Sequence, residues 1–384
     1  NPTIGTRTTF TAFTETNKGT LYKATEQIGT NPVKDVYYFA GDAKNNWVKF
    51  GKTTESSCTY KGKEVFIYND TGLKNVETQT ECETYSLCNH KSLGPLLVEN
   101  SSMCGNANGT ILTEKATWNG TSTKDIYWRI TRTNADGSIK LLYAGTSPDT
   151  TEGYIGMSAF NTTYNDPMYV GYKYGITGSL ENNRLNTNNS TIKTYVDNWY
   201  KNNLTAYTKY LSKDAVYCND RNLRSGDTYS TTSNFDYASW ERIKNKQPTY
   251  NCTNMSDAFS VNNTGAKLDY PVGLMTMDEL SYAGGEYYKS LTAPYAWYYT
   301  NANGESITGD APSWSLSPLV WLTSDSNVLE WDGSNYPGRL INDFVDGSAA
   351  VRPSVSLSSC NLISRGDGSS ENPYVVYTGS GVCE

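Results

Sequence analysis

The chain has 384 residues, with 39 acidic against 32 basic side chains for a net charge of −7. That length suffices for one large domain or two modest ones, with a substantial core. The lack of a basic tract argues against nucleic acid as a partner, and no apolar run is long enough to span a bilayer. With 31 Tyr and 9 Trp beside sparse Leu, Ile, Val and Phe, the interior has to be built on aromatics whose polar tips need partners. Plentiful Thr, Asn, Ser and Gly favour strands and turns over long helices. The first residue is Asn, which reads as a processed or trimmed chain with any signal peptide or membrane anchor lying outside it.

Residues 1–30 are Thr-rich and read as an extended lead-in, with Phe10 and Phe13 as anchors. Asp35–Gly41 and Asn46–Gly51 read as strands. Between Gly51 and Lys124 the texture changes: half of the cysteines and the single histidine fall there, so residues 53–123 are expected to form an inserted, disulfide-stapled module. Ile126–Arg132 and Ser138–Tyr143 flank Asn134-Ala-Asp-Gly137, a strong hairpin signal. Ser190 can cap a helix over 190–204, with Ile192, Val196, Trp199 and Tyr200 on one face. Met275–Ala283 reads as a second short helix, with Thr276 and Glu279 as a capping box and Gly284-Gly285 as its stop.

The eight cysteines are Cys58, Cys82, Cys88, Cys104, Cys218, Cys252, Cys360 and Cys383, with no C-x-x-C pair. An even count at wide spacing points to disulfides and an oxidising compartment rather than to zinc. We expect Cys218–Cys252 and Cys360–Cys383, with the other four pairing among themselves in any of three ways. Sequons occur at Asn69, Asn100, Asn119, Asn161, Asn203 and Asn251, a frequency that the Asn, Ser and Thr content explains by chance.

Catalytic chemistry finds little support. His90 is the sole imidazole and no nucleophile elbow accompanies it, so a surface role is expected. Asp278, Glu279, Glu330, Asp332 and Asp343 lie near aromatics, but no spacing singles out an acid and a nucleophile for glycoside hydrolysis. Arg365-Gly-Asp-Gly-Ser369 could hold a structural calcium ion, yet a tight turn accounts for it as well and is preferred. No catalytic residue, no metal ligand and no cofactor is expected. Trp297, Trp314 and Val351 are expected in the core, and Arg352 as a buried guanidinium paired with a carboxylate.

Several stretches together resemble a family. They are Tyr127–Ile130, Asn134–Tyr143, Gly153–Asn161, Tyr169–Tyr172, Val216–Arg221, Tyr270–Glu279, Trp314–Pro318 and Val351–Leu357. The chain resembles surface proteins of low-GC Gram-positive gut bacteria whose C-terminal part is C-type-lectin-like, in the subtype of formylglycine-generating enzymes. Many of those are variable proteins of diversity-generating retroelements. The match covers about residues 20–52 and 124–380. It implies an α+β fold, with a C-type-lectin-like domain of short antiparallel strands and two helices over 31–52 and 124–384, interrupted by the Cys-rich module. It implies neither formylglycine-generating activity nor calcium-dependent sugar binding, because the reactive cysteine pair and the Glu-Pro-Asn or Gln-Pro-Asp triplet are missing.

The resemblance also gives the last quarter a purpose. Within a fixed frame sit residues of unrelated chemistry: Ser313, Ser315, Val320, Leu322, Asp325, Asn327, Glu330, Asp332, Asn335, Tyr336, Ile341, Asn342, Asp343 and Asp346. Such residues on a rigid scaffold change partners without unfolding the domain. Trp321, Trp331 and Tyr336 are the expected hot-spot anchors. The carboxylates Asp325, Glu330, Asp332, Asp343 and Asp346 would favour a basic or amine-bearing partner. The expected function is ligand binding outside the cell, toward a protein or glycan on a host, phage or microbial surface, with any membrane link through an anchor outside the chain. The rival readings are an enzyme acting on surface carbohydrate and a subunit of a surface layer or filament.

Overall fold

A computed structural model describes residues 2–11, 13, 16–17, 19–69, 72–106 and 108–383. The chain divides into two compact units, residues 52–124 and the remainder.

The smaller unit holds a five-stranded sheet in the order Gly109–Ile111, Ser86–His90, Gly94–Val98, Ile67–Asn69, Gly72–Lys74. Thr78 and Glu81 close a capping box at the start of helix Gln79–Thr84. Its core is small, built on Cys58, Tyr60, Val65, Ile67, Val76, Cys82, Leu87 and Leu97. Disulfides Cys58–Cys82 and Cys88–Cys104 fasten it, which suits a unit with too few apolar side chains to hold itself together.

The larger unit is organised on two sheets. The first runs Thr3–Gly5, Thr20–Glu26, Lys34–Tyr38, Thr117–Thr133, Ile139–Tyr143, Ser354–Leu357, Val272–Gly273. The Asp136-Gly137 turn connects Thr117–Thr133 to Ile139–Tyr143, with Gly137 at φ 83°. The second runs Met157–Ser158, Ala349–Ala350, Ser313–Leu322, Asp325–Trp331, Leu340–Phe344, with Phe235–Asp236 beside Ser313–Leu322. Helix Thr191–Asn203 starts at an Ser190 cap and buries Ile192, Val196 and Tyr200. Met277–Ala283 follows the Thr276–Glu279 capping box and stops at Gly284, φ 120°. Disulfides Cys218–Cys252 and Cys360–Cys383 complete the four, and four disulfides point to an oxidising compartment. No described helix is long and apolar enough to cross a membrane.

The expected α+β architecture, a C-type-lectin-like domain with two helices, is overturned. Strand makes up 36% of the chain and helix 14%. The described residues hold six α-helices and two 3-10 turns rather than two helices. The sheets are mixed: Thr3–Gly5 is parallel to Thr20–Glu26, and Tyr374–Val376 is parallel to Trp47–Tyr60. Short helices such as Leu180–Asn183 and Ala238–Lys244 escaped notice because four to seven residues carry no measurable 3.6-residue period. Parallel partners escaped because pairing between distant segments leaves no local turn signal. Part of the segment read as a lead-in, Thr20–Glu26, is a strand of the first sheet.

The core is aromatic. Trp128, Trp297, Trp314, Trp321 and Trp331 are all fully buried. The second sheet is covered on both faces: Trp314, Leu316, Trp321 and Val328 belong to one hydrophobic cluster, Leu319, Leu329, Trp331 and Leu340 to another. Some polar tips find backbone partners, as Trp297 Nε1 does on Phe39 O at 3.0 Å and Trp314 Nε1 on Ser158 O at 2.8 Å.

Buried charge is paired into pins between segments. Arg132 meets Glu26 at 2.9 Å and Glu279 at 2.8 Å, and Lys140 meets Glu279 at 2.8 Å. Burial alone would raise the Glu279 carboxyl, but Lys140 and Arg132 outweigh it and hold it down at about 2. Arg221 meets Asp257 at 2.7 Å and donates to the carbonyls of Lys173, Asn183 and Ser256. The Val216–Arg221 stretch is therefore structural. Arg352 is buried as expected, but its partners are carbonyls, not a carboxylate: Tyr143 O at 2.9 Å and Tyr298 O at 2.6 Å. Burial without a counter-charge pulls its guanidinium down to about 9.

Candidate functional site

The second sheet positions the site. Its strand Leu340–Phe344 pairs with Asp325–Trp331, setting Glu330 opposite Ile341 and Leu329 opposite Asn342. The loop that precedes it, residues 332–339, is held from beneath. Tyr298 Oη donates to Gly338 O at 2.6 Å and Leu291 N–H donates to Pro337 O at 2.7 Å. Gly338 has φ 56°, and a Cβ there would sit 2.5 Å from Leu291 Cδ1, so the turn favours glycine.

That loop displays Tyr336, which is 52% exposed. Opposite it stands Tyr288, 66% exposed, in the left-handed region at φ 54°. A bulky aromatic residue rarely adopts that conformation. It is held there by its own N–H on Leu340 O at 2.9 Å, and Leu340 N–H returns a bond to Glu286 O at 3.1 Å. The Glu286 carboxylate clamps the loop through Lys246 at 2.6 Å and Lys289 at 3.0 Å.

Arg339 joins the two rings. Its guanidinium carbon lies 3.8 Å from the Tyr336 centroid and 5.6 Å from the Tyr288 centroid. Asp332 fixes it with a 2.6 Å bond to Nε. Burial lifts the Asp332 carboxyl, and the Arg339 contact offsets only part of that lift. Behind Tyr288, Tyr287 packs on Trp240 at 4.4 Å, edge to face. Tyr287 Oη donates to Asn342 Oδ1 at 3.0 Å, and Asn342 Nδ2 donates to Asn327 Oδ1 at 3.1 Å. The result is an aromatic and cationic platform on a braced support.

The residues expected at a recognition surface divide three ways. Leu322, Asn335, Tyr336 and Asp346 are exposed, and Val320, Asp325, Asp332, Ile341, Asn342 and Asp343 are partly so. Ser313, Ser315, Trp321, Asn327, Glu330 and Trp331 are buried and offer no surface. Ser315 Oγ donates to Leu329 O, inside the sheet. Trp321 and Trp331 are core side chains rather than hot-spot anchors. Alternation around Asp325, Asn327 and Glu330, Asp332 suggests strands with an outward face of unmatched residues, but Asp325–Trp331 is an inner strand, buried from Ser326 to Trp331. Sequence reasoning missed Tyr288, Tyr287 and Trp240, which no motif marks.

Glu330 is the chemical exception within the strand. It is 3% exposed, and its Oε2 has no partner among the described residues. Burial, and then Asp343 and Asp332, push its carboxyl up to about 8. No group of three His, Cys, Asp or Glu among the described residues is placed to hold a metal ion. In the smaller unit, His90 Nδ1 accepts the N–H groups of Ser92 and Leu93 within a turn. Asp367 likewise accepts Ser369 N–H between Gly366 and Gly368, both at positive φ. The platform itself offers stacking faces, an oriented guanidinium and amide groups, which suit recognition. No protein-family model matches the chain, and comparisons with curated proteins and with solved structures returned no significant match.

Proposed function

We propose that this protein is a ligand-binding protein acting outside the cell or at its surface, and that it engages a partner protein or glycan through the Tyr288–Arg339–Tyr336 platform. The observation that carries this reading is the guanidinium held between two exposed tyrosine rings by Asp332, beside a tyrosine kept at positive φ. Backbone conformations of that kind cost roughly 1–3 kcal/mol and gather at ligand clamps. Tyr and Arg are the residue types that dominate binding hot spots. Asn335, exposed and next to Tyr336, extends the face. The four disulfides support the extracellular setting.

The reading is tested by binding of the labelled chain to glycan arrays and to microbial and epithelial cells. The variants are Tyr288→Ala and Tyr336→Ala, alone and together. The expected result is a loss of at least about tenfold in affinity for each single change. Tyr288→Ala should leave the melting temperature within a few degrees, since the ring is exposed. Binding by the double variant that equals the parent's would place recognition elsewhere.

A further inference from the structure

The platform carries charges of both signs, but its carboxylates lie beneath its cations. The Glu286 side chain is 5% exposed and pairs with Lys246 and Lys289, which are 45% and 58% exposed. Asp332 is 14% exposed and is tied to Arg339. Lys244, exposed, lies 5.6 Å from the Trp240 ring on which Tyr287 packs. Asp343 alternates with Asn342 and belongs to the other face of its strand. Exposed Asp310, which accepts the Ser334 hydroxyl, and exposed Asp346, past the end of Leu340–Phe344, stand at the margins. A chain of net charge −7 thus presents a cationic rim beside Tyr288 and Tyr336.

Arg339 has donors left over. The one hydrogen bond of its guanidinium among the described residues runs from Nε to Asp332 Oδ2, so the N–H groups on Nη1 and Nη2 remain for a ligand. The guanidinium is already held, by that bond and by the Tyr336 ring at 3.8 Å. Little side-chain freedom is therefore lost when an acceptor arrives. A planar fork of this kind takes both oxygens of a carboxylate. Beside it the Tyr288 ring, its centroid 5.6 Å from the guanidinium carbon, offers an exposed stacking face.

We propose that the platform binds an acidic glycan, with the carboxylate of a uronic or sialic acid on Arg339 and the C–H face of the same sugar against Tyr288; the inference rests on the platform being the recognition site. A carboxylated pyranose carries its charge on the ring that stacks, so one sugar engages the guanidinium and the aromatic face together. An Asp or Glu side chain of a peptide brings the carboxylate without a ring. Lys246 and Lys289 add longer-range attraction for further acidic sugars of the same glycan. The acidic residues of the last quarter pointed to a basic partner, but that sign reverses at this face, because Glu330 is buried and Asp332 is already paired.

The test is calorimetric titration of the full chain with sialyllactose and a hyaluronan hexasaccharide, against lactose, the carboxyl-reduced hexasaccharide and poly-glutamate. Saturable binding is expected for at least one acidic glycan, with its neutral counterpart at least about tenfold weaker. Arg339→Gln and Tyr288→Ala should each weaken that binding about tenfold or more. Arg339→Lys, which keeps the charge but not the fork, should recover only part of the loss. Lys289→Gln, at an exposed position, should weaken it about threefold and make it less sensitive to salt. Three results would overturn the proposal: no saturable binding of either acidic glycan up to about 10 mM, equal binding of the neutral counterpart or of poly-glutamate, or acidic-glycan binding that Arg339→Gln and Tyr288→Ala both leave unchanged. Loss of cell attachment in the Tyr288→Ala, Tyr336→Ala double variant, with acidic glycans that neither bind nor compete, would refute the ligand class and keep the platform. Cell attachment that survives the double variant would refute the platform itself.

Discussion

Glu330→Gln isolates the effect of one buried carboxyl. The native carboxyl sits at about 8, against an ordinary value of 4.5, because burial and the nearby Asp343 and Asp332 disfavour its charge. The stability that the neutral carboxyl allows is complete below about pH 4.5, and it is lost as pH rises through about 8. At pH 7 the unfolded chain has released the proton while the folded one keeps it. From the 3.5-unit difference, folding is penalised by roughly 3 kcal/mol at pH 7 and by about 5 kcal/mol above pH 8. Glutamine carries no titrating proton. Its amide N–H groups need partners in the same dry site, at a cost of about 1–3 kcal/mol that is the same at every pH. The informative quantity is therefore the change in the difference between variant and parent, not its absolute value. Urea unfolding followed by tryptophan fluorescence from about pH 4 to pH 8 measures it. Relative to the parent, the variant should gain roughly 3 kcal/mol between about pH 4 and pH 7. Parallel pH profiles for the two chains would show that Glu330 ionises normally and would refute the argument.

Other outcomes follow from the buried network. Glu279→Gln leaves Arg132 and Lys140 facing each other with one counter-charge fewer, and should cost about 3–5 kcal/mol, read as a lower urea midpoint. Arg352→Lys keeps a charge but loses the fork that spans Tyr143 O and Tyr298 O, and should cost about 2–3 kcal/mol in the same assay. Paired Cys218→Ser and Cys252→Ser changes release a loop with a sequence separation of 34, and should cost about 3–4 kcal/mol and speed proteolysis around residue 255. Thr323 sits at φ 38° in the two-residue link between Leu322 and Asp325. Thr323→Gly should raise stability by about 1 kcal/mol, seen as a higher melting temperature, since a β-branched residue is strained there.

The local signals in the sequence were reliable where chemistry acts over a few residues. The Asp136-Gly137 hairpin, the Ser190 cap, the Thr276–Glu279 capping box and the aromatic core were all legible, as were the Cys218–Cys252 and Cys360–Cys383 pairs. Six of the sixteen candidate surface residues were not, being buried. Period-two alternation predicts one dry face and one wet face, and it fails for a strand with hydrophobic clusters on both sides. That is why Trp321, Trp331, Asn327 and Glu330 lie inside while Leu322 and Tyr336 lie outside. The sequence by itself determined composition, compartment chemistry, turns and caps, because those depend on bonded neighbours and on which side chains can be dry. Only the tertiary structure decided which residues share the platform. Tyr288, Asp332, Tyr336 and Arg339 meet through a parallel bridge between Tyr287 and Leu340, 53 positions apart in the chain, and pairing over such a span is set by the packing of the whole unit and leaves no mark in either segment.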